Sequence, residues 1–183
     1  MDADDLSLPQ RFERQVAYLN EHPECVLVGS QVLLIDTEGA PIRVKGDTQF
    51  HHEQIDHAHM NRTWPLVHPT IMVRRSALDA VGGYREKYKW LEDLDLFLRL
   101  AEVGKLANLE DVLLHYRLHM SSVCHTHREE QGNRGDRGGG EHDPEFSSAH
   151  VPIPGDSSIL LLCKGPADME NGDPLHLGAA RNF

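Results

Sequence analysis

The chain has 183 residues, the length of one ordinary domain, and 39% of them are hydrophobic, enough for a single core. Asp and Glu number 29 against 18 Lys and Arg, a formal net charge of -11, which argues against a nucleic-acid or anionic-membrane surface because both need clustered cations. Cys25, Cys124 and Cys163 form no CxxC pair, so neither a disulfide framework nor a zinc site is expected, and no apolar run approaches the length of a membrane span.

The first element predicted is a helix, with Ser7 as its cap, Gln10 at capping-box distance and Pro9 in the first turn. Phe12, Val16 and Leu19 form its apolar stripe, and His22-Pro23 ends it. Val26-Leu27-Val28 and Val32-Leu33-Leu34-Ile35 read as two strands separated by Gly29-Ser30-Gln31. Thr37-Glu38-Gly39 reads as a turn into a strand over residues 42–45. Residues 51–60 predict a polar helix, and the spacing of His51, His52, His57 and His59 fits no zinc pattern. A strand over 70–73 follows, then a short helix from Ser76 that Gly82-Gly83 terminates. The strongest helical pattern runs over 92–103, closed by Gly104, before a last strand over 112–116. Strands alternating with helices argue for an α/β domain. Beyond that strand the chain is rich in Gly, His, Arg and Glu and low in apolar residues. Residues 1–123 therefore read as one domain and 124–183 as a poorly ordered tail, with a short strand at 159–162.

Three groups of residues carry chemistry. Asp2-Ala3-Asp4-Asp5 crowds carboxylates that repel unless a cation or solvent neutralises them. Two acids one residue apart can share a hard divalent ion, Mn2+ or Mg2+, which keeps positions open for substrate phosphates. The same residues read equally as an acidic, frayed terminus capping the next helix. In the helix over 92–103, Asp93 falls within the apolar arc of Leu94, Leu96, Phe97 and Leu100, whereas Glu92, Asp95, Arg99 and Glu102 fall on the polar side. A helix N-terminus favours an ionised acid and burial disfavours it, the opposition that tunes a general base. A simple N-cap is the plainer fate of such an aspartate. In His115-Tyr116-Arg117-Leu118-His119, alternation puts Tyr116 and Leu118 on one face and the basic residues on the other. That basic face suits a diphosphate or a metal, and it suits a solvated edge strand as well.

Taken in chain order, these pieces resemble the family 2 glycosyltransferases, inverting enzymes of the GT-A fold. The resemblance lies in Met1-Asp-Ala-Asp-Asp-Leu-Ser-Leu-Pro9, the helix over 11–20, and Val28-Gly29-Ser30. It continues in His68-Pro69-Thr70-Ile71-Met72-Val73-Arg74-Arg75, Val81-Gly82-Gly83-Tyr84, Glu92-Asp93-Leu94-Asp95-Leu96 and Tyr116-Arg117-Leu118-His119. It covers about residues 1–123. It implies that Asp2 and Asp4 form the DxD motif, holding Mn2+ or Mg2+ against the diphosphate of a nucleotide-sugar donor, a UDP-sugar first among them. It further implies that Asp93 is the catalytic base and that His119 and Arg117 lie near the metal and the diphosphate, His119 as a metal ligand and Arg117 on the diphosphate. Trp90, Leu91 and Glu92 are placed at the acceptor by their adjacency to Asp93 alone. The acceptor would be a carbohydrate or glycoconjugate, and the product a polysaccharide or glycoconjugate.

Similar enzymes carry a β-α-β nucleotide-binding segment before the DxD motif, and this chain has none. The expected fold is thus a partial GT-A domain, Rossmann-like, that binds nucleotide weakly and exposes an unpaired sheet edge. An inactive remnant acting at most as a binding module is the alternative reading. A phosphotransferase with Asp2 as nucleophile is a third, against which Leu6 stands where the aspartyl-phosphatase opening wants Thr or Val. With no signal peptide ahead of the first acidic residues, the expected location is the cytoplasm, at most peripheral to the inner membrane face.

Overall fold

The computed structural model describes residues 3–45, 49–61, 63–88, 91–119 and 159–161. In chain order these form β1 (Leu6–Ser7), α1 (Arg11–Glu21), β2 (Cys25–Ile35), β3 (Pro41–Lys45), α2 (His52–Met60), β4 (Met72–Arg74), α3 (Arg75–Ala80), α4 (Glu92–Val103), β5 (Lys105–Arg117) and β6 (Ile159–Leu161). Short 3-10 turns occupy His68–Thr70 and Glu86–Tyr88. The sheet runs β1-β5-β2-β4-β6, and β3 is added to the far half of β2. Among the described residues only β2 and β5 pair in parallel, and the other pairings are antiparallel. The result is a mixed α/β sheet with helices, as the alternation of elements predicts.

The parallel pair is the spine. Cys25 lies opposite Lys105 and Ile35 opposite Arg117, and β2 is buried almost throughout, as a strand covered on both faces must be. The sequence splits β2 into two runs at Gly29-Ser30-Gln31, but the structure keeps it whole. The polar interruption is absorbed by register shifts around Gln31, local bulges that let the ladder continue. Gly29 is needed there, because a Cβ would come within 2.5 Å of Asn108 Oδ1 on β5. The last strand likewise begins at Lys105 rather than at 112. Its first half contains Asn108, Glu110 and Asp111, which disguise an inner strand.

Two further corrections concern α1. The helix starts at Arg11, not at Ser7: Ser7 pairs with Leu114 in β1, and the Leu8 N–H donates to the Leu113 carbonyl at 3.0 Å, so strand structure takes the place of a cap. Its buried face is Arg11, Gln15 and Leu19, whereas Phe12 is 46% exposed. Carbonyls explain this. Gln15 Nε2 donates to Val28 O and Thr70 O at 3.1 and 2.7 Å, and Arg11 Nη2 to Pro69 O at 2.8 Å, so polar side chains satisfy main-chain acceptors of β2 and of the turn that precedes β4. Arg74 from β4 then closes the other end of α1 by donating to the carbonyls of Leu19 and His22.

The predicted strand over 70–73 resolves into the His68–Thr70 turn, entered through Pro69, and β4. α3 ends as expected, with Gly82 and Gly83 at positive φ. α4 keeps the bounds that the periodicity predicts. Its projection misplaces two residues, however: Asp95 and Arg99 are buried, not on a polar face. They neutralise each other and, with Arg85, form one ion-paired unit. The main core gathers Val26, Leu27, Ile55, Ile71, Val73, Leu96, Phe97, Leu100 and Leu106 between the sheet and α2, α3 and α4.

The short strand expected at 159–162 is present as β6, which pairs with β4 from Met72–Leu161 to Arg74–Ile159. The bare edge expected of this sheet is therefore covered at β4. The rest of the predicted tail, together with Asp2, Trp90, Cys124 and Cys163, lies outside the described residues.

Candidate active site

The acidic loop and the end of β5 meet because β1 pairs with β5. Leu6 opposite His115 brings residues 3–5 beside Arg117 and His119. There Asp4 Oδ2 lies 3.2 Å from His119 Nε2, with the two side chains 40% and 37% exposed. Asp5 has a different fate: it is buried, and its Oδ1 accepts the Arg117 backbone N–H at 3.2 Å. The carboxylate cluster read from the sequence thus divides into an open acid and a structural one.

The donor set at Asp4 and His119 fits a divalent cation. Among the described residues no three His, Cys, Asp or Glu side chains cluster to hold a metal alone. Mg2+ and similar hard ions, however, take one or two protein ligands and complete their shell with substrate phosphates and water. A part-exposed carboxylate with an imidazole beside it meets that need. Arg117 sits next to them, but its Nε and Nη1 donate to main-chain carbonyls of Asp4, Asp36 and Thr37.

Asp93 occupies the first turn of α4, half-buried, with Oδ1 accepting the Leu94 N–H at 2.8 Å. It is not the helix cap, which is Leu91. Glu92 and Leu91 adjoin it, both half-buried. The side chain of Tyr84 lies by the two acids, and burial, then the charges of Asp93 and Glu92, push its phenol well above the usual range. It therefore stays protonated and forms a 2.6 Å hydrogen bond with His68 Nε2. His68 packs in turn on Phe97 of α4, while its neighbour Val67 packs on Val32, Leu34 and Leu114. The His68-Pro69-Thr70 turn thus reaches from α4 to the strands that lead to Arg117.

α4 passes through Gly104 directly into β5, and its Leu96, Phe97 and Leu100 pack with Val26, Leu27 and Leu106 at the starts of β2 and β5, whose carboxyl ends lie at Ile35 and Arg117. Ligands of open α/β sheets bind outside those carboxyl ends. The structure brings Asp4, Arg117 and His119 together, and it places Asp93, Glu92 and Leu91 on a separate element, at the start of α4. A depression of about 640 Å³ on α2, lined by Gln49, Glu53, Gln54, His57, Ala58, Asn61 and Thr63, includes none of them. In the sequence Asp5 stands only as one of the clustered acids, His68 and Tyr84 only within the matching stretches, and Asp36 without a role. Asp36, two residues ahead of Glu38-Gly39, carries the local signal of an Asx turn.

The model of the glycosyltransferase-like family 2 matches residues 1–134. The amylovoran biosynthesis glycosyltransferase AmsE of Erwinia amylovora is 36% identical over 118 residues, 64% of this chain and 43% of that protein. The O-antigen biosynthesis glycosyltransferase WbnJ of Escherichia coli is 33% identical over 130 residues, 67% of this chain and 48% of its own length. An uncharacterized glycosyltransferase of Haemophilus influenzae is 32% identical over 119 residues, again 64% of this chain and 43% of the relative. The chain spans less than half the length of these relatives. With most of its length matched by the family model, the chain belongs to the family 2 glycosyltransferases.

Proposed function

We propose that this chain carries the metal-binding and base-bearing part of an inverting glycosyltransferase that moves a sugar from a nucleotide-diphosphate donor, a UDP-sugar first among them, to a carbohydrate or glycoconjugate hydroxyl. The observation that carries this reading is the Asp4–His119 pair at the end of β5. The names of AmsE and WbnJ place those proteins in amylovoran and O-antigen synthesis, which supports surface polysaccharide as the product class here.

Asp4 and His119, with Asp2 one residue upstream of Ala3, would hold Mn2+ or Mg2+. A bound cation supplies charge to offset that building on a departing diphosphate. It also removes the repulsion between an acidic chain and a phosphorylated donor. Asp93, in the first turn of α4, accepts the proton of the acceptor hydroxyl. Tyr84, held protonated beside it, is a hydrogen-bond donor and not a competing base. Attack by the acceptor oxygen opposite the leaving diphosphate inverts the anomeric centre. Leu91 and Glu92 border the acceptor side, with Trp90 next in the chain.

Calorimetric titration of UDP with and without Mn2+, alongside Asp4→Ala, tests the donor half. Mn2+-dependent binding that Asp4→Ala abolishes is the expected result. UDP binding indifferent to Mn2+ would sink the metal assignment. Binding without sugar transfer, over a panel of donors and acceptors, would favour the binding-module reading.

A further inference from the structure

Arg117 ends β5, and its guanidinium serves two segments far apart in sequence. Nε donates to the Asp4 carbonyl at 3.0 Å, and Nη1 donates to the carbonyls of Asp36 and Thr37 at 2.8 and 3.0 Å. Its backbone N–H holds Asp5 Oδ1, and the next N–H, of Leu118, donates to Ile35 O at 2.9 Å. The turn it grips is braced from within. Asp36 Oδ1 accepts from the N–H groups of Glu38 and Ala40 at 2.9 and 2.8 Å. Gly39 takes φ 93°, which a side chain would strain.

An arginine devoted to a diphosphate offers its planar fork to the ligand. This one commits two of its three nitrogens to main-chain carbonyls on both sides of the sheet end. β1 is only two residues long, so its ladder gives residues 3–5 little hold, and the Arg117 contacts supply the rest. Resting on the metal reading of Asp4 and His119, we infer that Arg117 is a positioning residue: it staples the acidic loop to the braced turn at 36–40 and so holds Asp4 against His119. Groups of this kind, which orient a metal ligand from behind, typically change metal affinity 10–100-fold when removed. Asp36 belongs to the same device, although it touches neither Asp4 nor His119 through its side chain.

The test uses the full 183-residue chain and Mn2+ alone, with free ion counted by electron paramagnetic resonance, followed by UDP titration at saturating Mn2+. Arg117→Ala and Arg117→Lys should both weaken Mn2+ binding about tenfold or more and leave UDP affinity at saturating metal unchanged. Lysine fails because one ammonium cannot span both segments. Asp36→Ala, which leaves Arg117 in place, should weaken Mn2+ in the same direction. Unchanged Mn2+ affinity with weakened UDP binding, or rescue by lysine, would overturn the proposal and return Arg117 to the diphosphate. Amide hydrogen exchange of Leu8, Gly39 and Ala40 reads the staple with no metal at all: faster exchange in Arg117→Ala is expected, and unaltered exchange overturns it. A wild-type chain that binds no Mn2+ would instead defeat the metal reading, with exchange still deciding whether the staple exists.

Discussion

At the scale of single residues, the division of labour among neighbouring acids is the main result. Asp4 is open beside His119, and Asp5, the next residue, is spent on the backbone of β5. Asp93 is half-buried and accepts the Leu94 main-chain N–H, while Asp95, two positions on, is buried between two arginines. Asp93→Asn keeps the shape of the helix start and removes the proton acceptor. It should lower sugar transfer about 10²–10⁴-fold and leave Mn2+ binding intact, measured as turnover against metal titration. His59 is a separate matter. It is 2% exposed, stacked on Phe97 at 5.6 Å, and neither ring nitrogen has a hydrogen-bond partner. Burial lowers its pKa from 6.5 to about 4. Because the folded value is depressed, the unfolded chain takes up the proton first as pH falls. The contribution of neutral His59 is therefore complete above the unfolded value of 6.5 and is lost as pH falls toward 4. The loss amounts to about 3 kcal/mol. His59→Leu should flatten that acid limb in urea melts taken from pH 7 to pH 4; an unchanged limb would place the titrating group elsewhere.

At the scale of elements, α4 is fixed by a polar unit as much as by its apolar face. Arg99 bonds Asp95 within the helix and reaches the carbonyls of Val81 and Gly83 at 2.6 and 2.7 Å, and Arg85 pairs with the same aspartate. This ties the loop that carries Tyr84 to the helix that carries Asp93. Removing one member leaves a buried charge uncompensated, so Asp95→Ala should cost about 3–5 kcal/mol in urea denaturation. The same variant should impair transfer in whatever fraction stays folded, because Tyr84 and the α4 N-terminus lose their common anchor. Cys25, by contrast, is inert: burial pushes its thiol up to about 12, and it acts as a small apolar residue of β2.

At the scale of the whole molecule, the strand β6 from the distant tail completes the sheet. Ile159 also packs against the cluster of Leu19, Cys25, Val28, Met72 and Ala107. A chain ending at residue 123 should therefore lose cover from both the β4 edge and this cluster, and self-associate more than the full chain in sedimentation velocity. Equal behaviour of the two would mean that β6 contributes nothing to solubility. No described helix is long and apolar enough to cross a membrane.

The sequence by itself determined the alternating α/β class, the bounds of α4, the turn after Ile35, the Gly82-Gly83 stop and the family. These depend on local patterning or on motifs short enough to survive as residue strings. Only the tertiary structure decided that β2 is one strand, that Arg11 and Gln15 face inward, and that Asp95 and Arg99 are core. In each case a polar residue is buried because a partner distant in sequence satisfies it, such as the carbonyl of Thr70 for Gln15 or that of Gly83 for Arg99. Periodicity counts polarity and cannot see partners. The site divides in the same way. Asp4, Asp93 and His119 were legible as residue types at motif spacing, but the pairing of β1 with β5 is what sets Asp4 beside His119. The work of Arg117, a link across 81 residues to Asp36, exists only once the chain has folded.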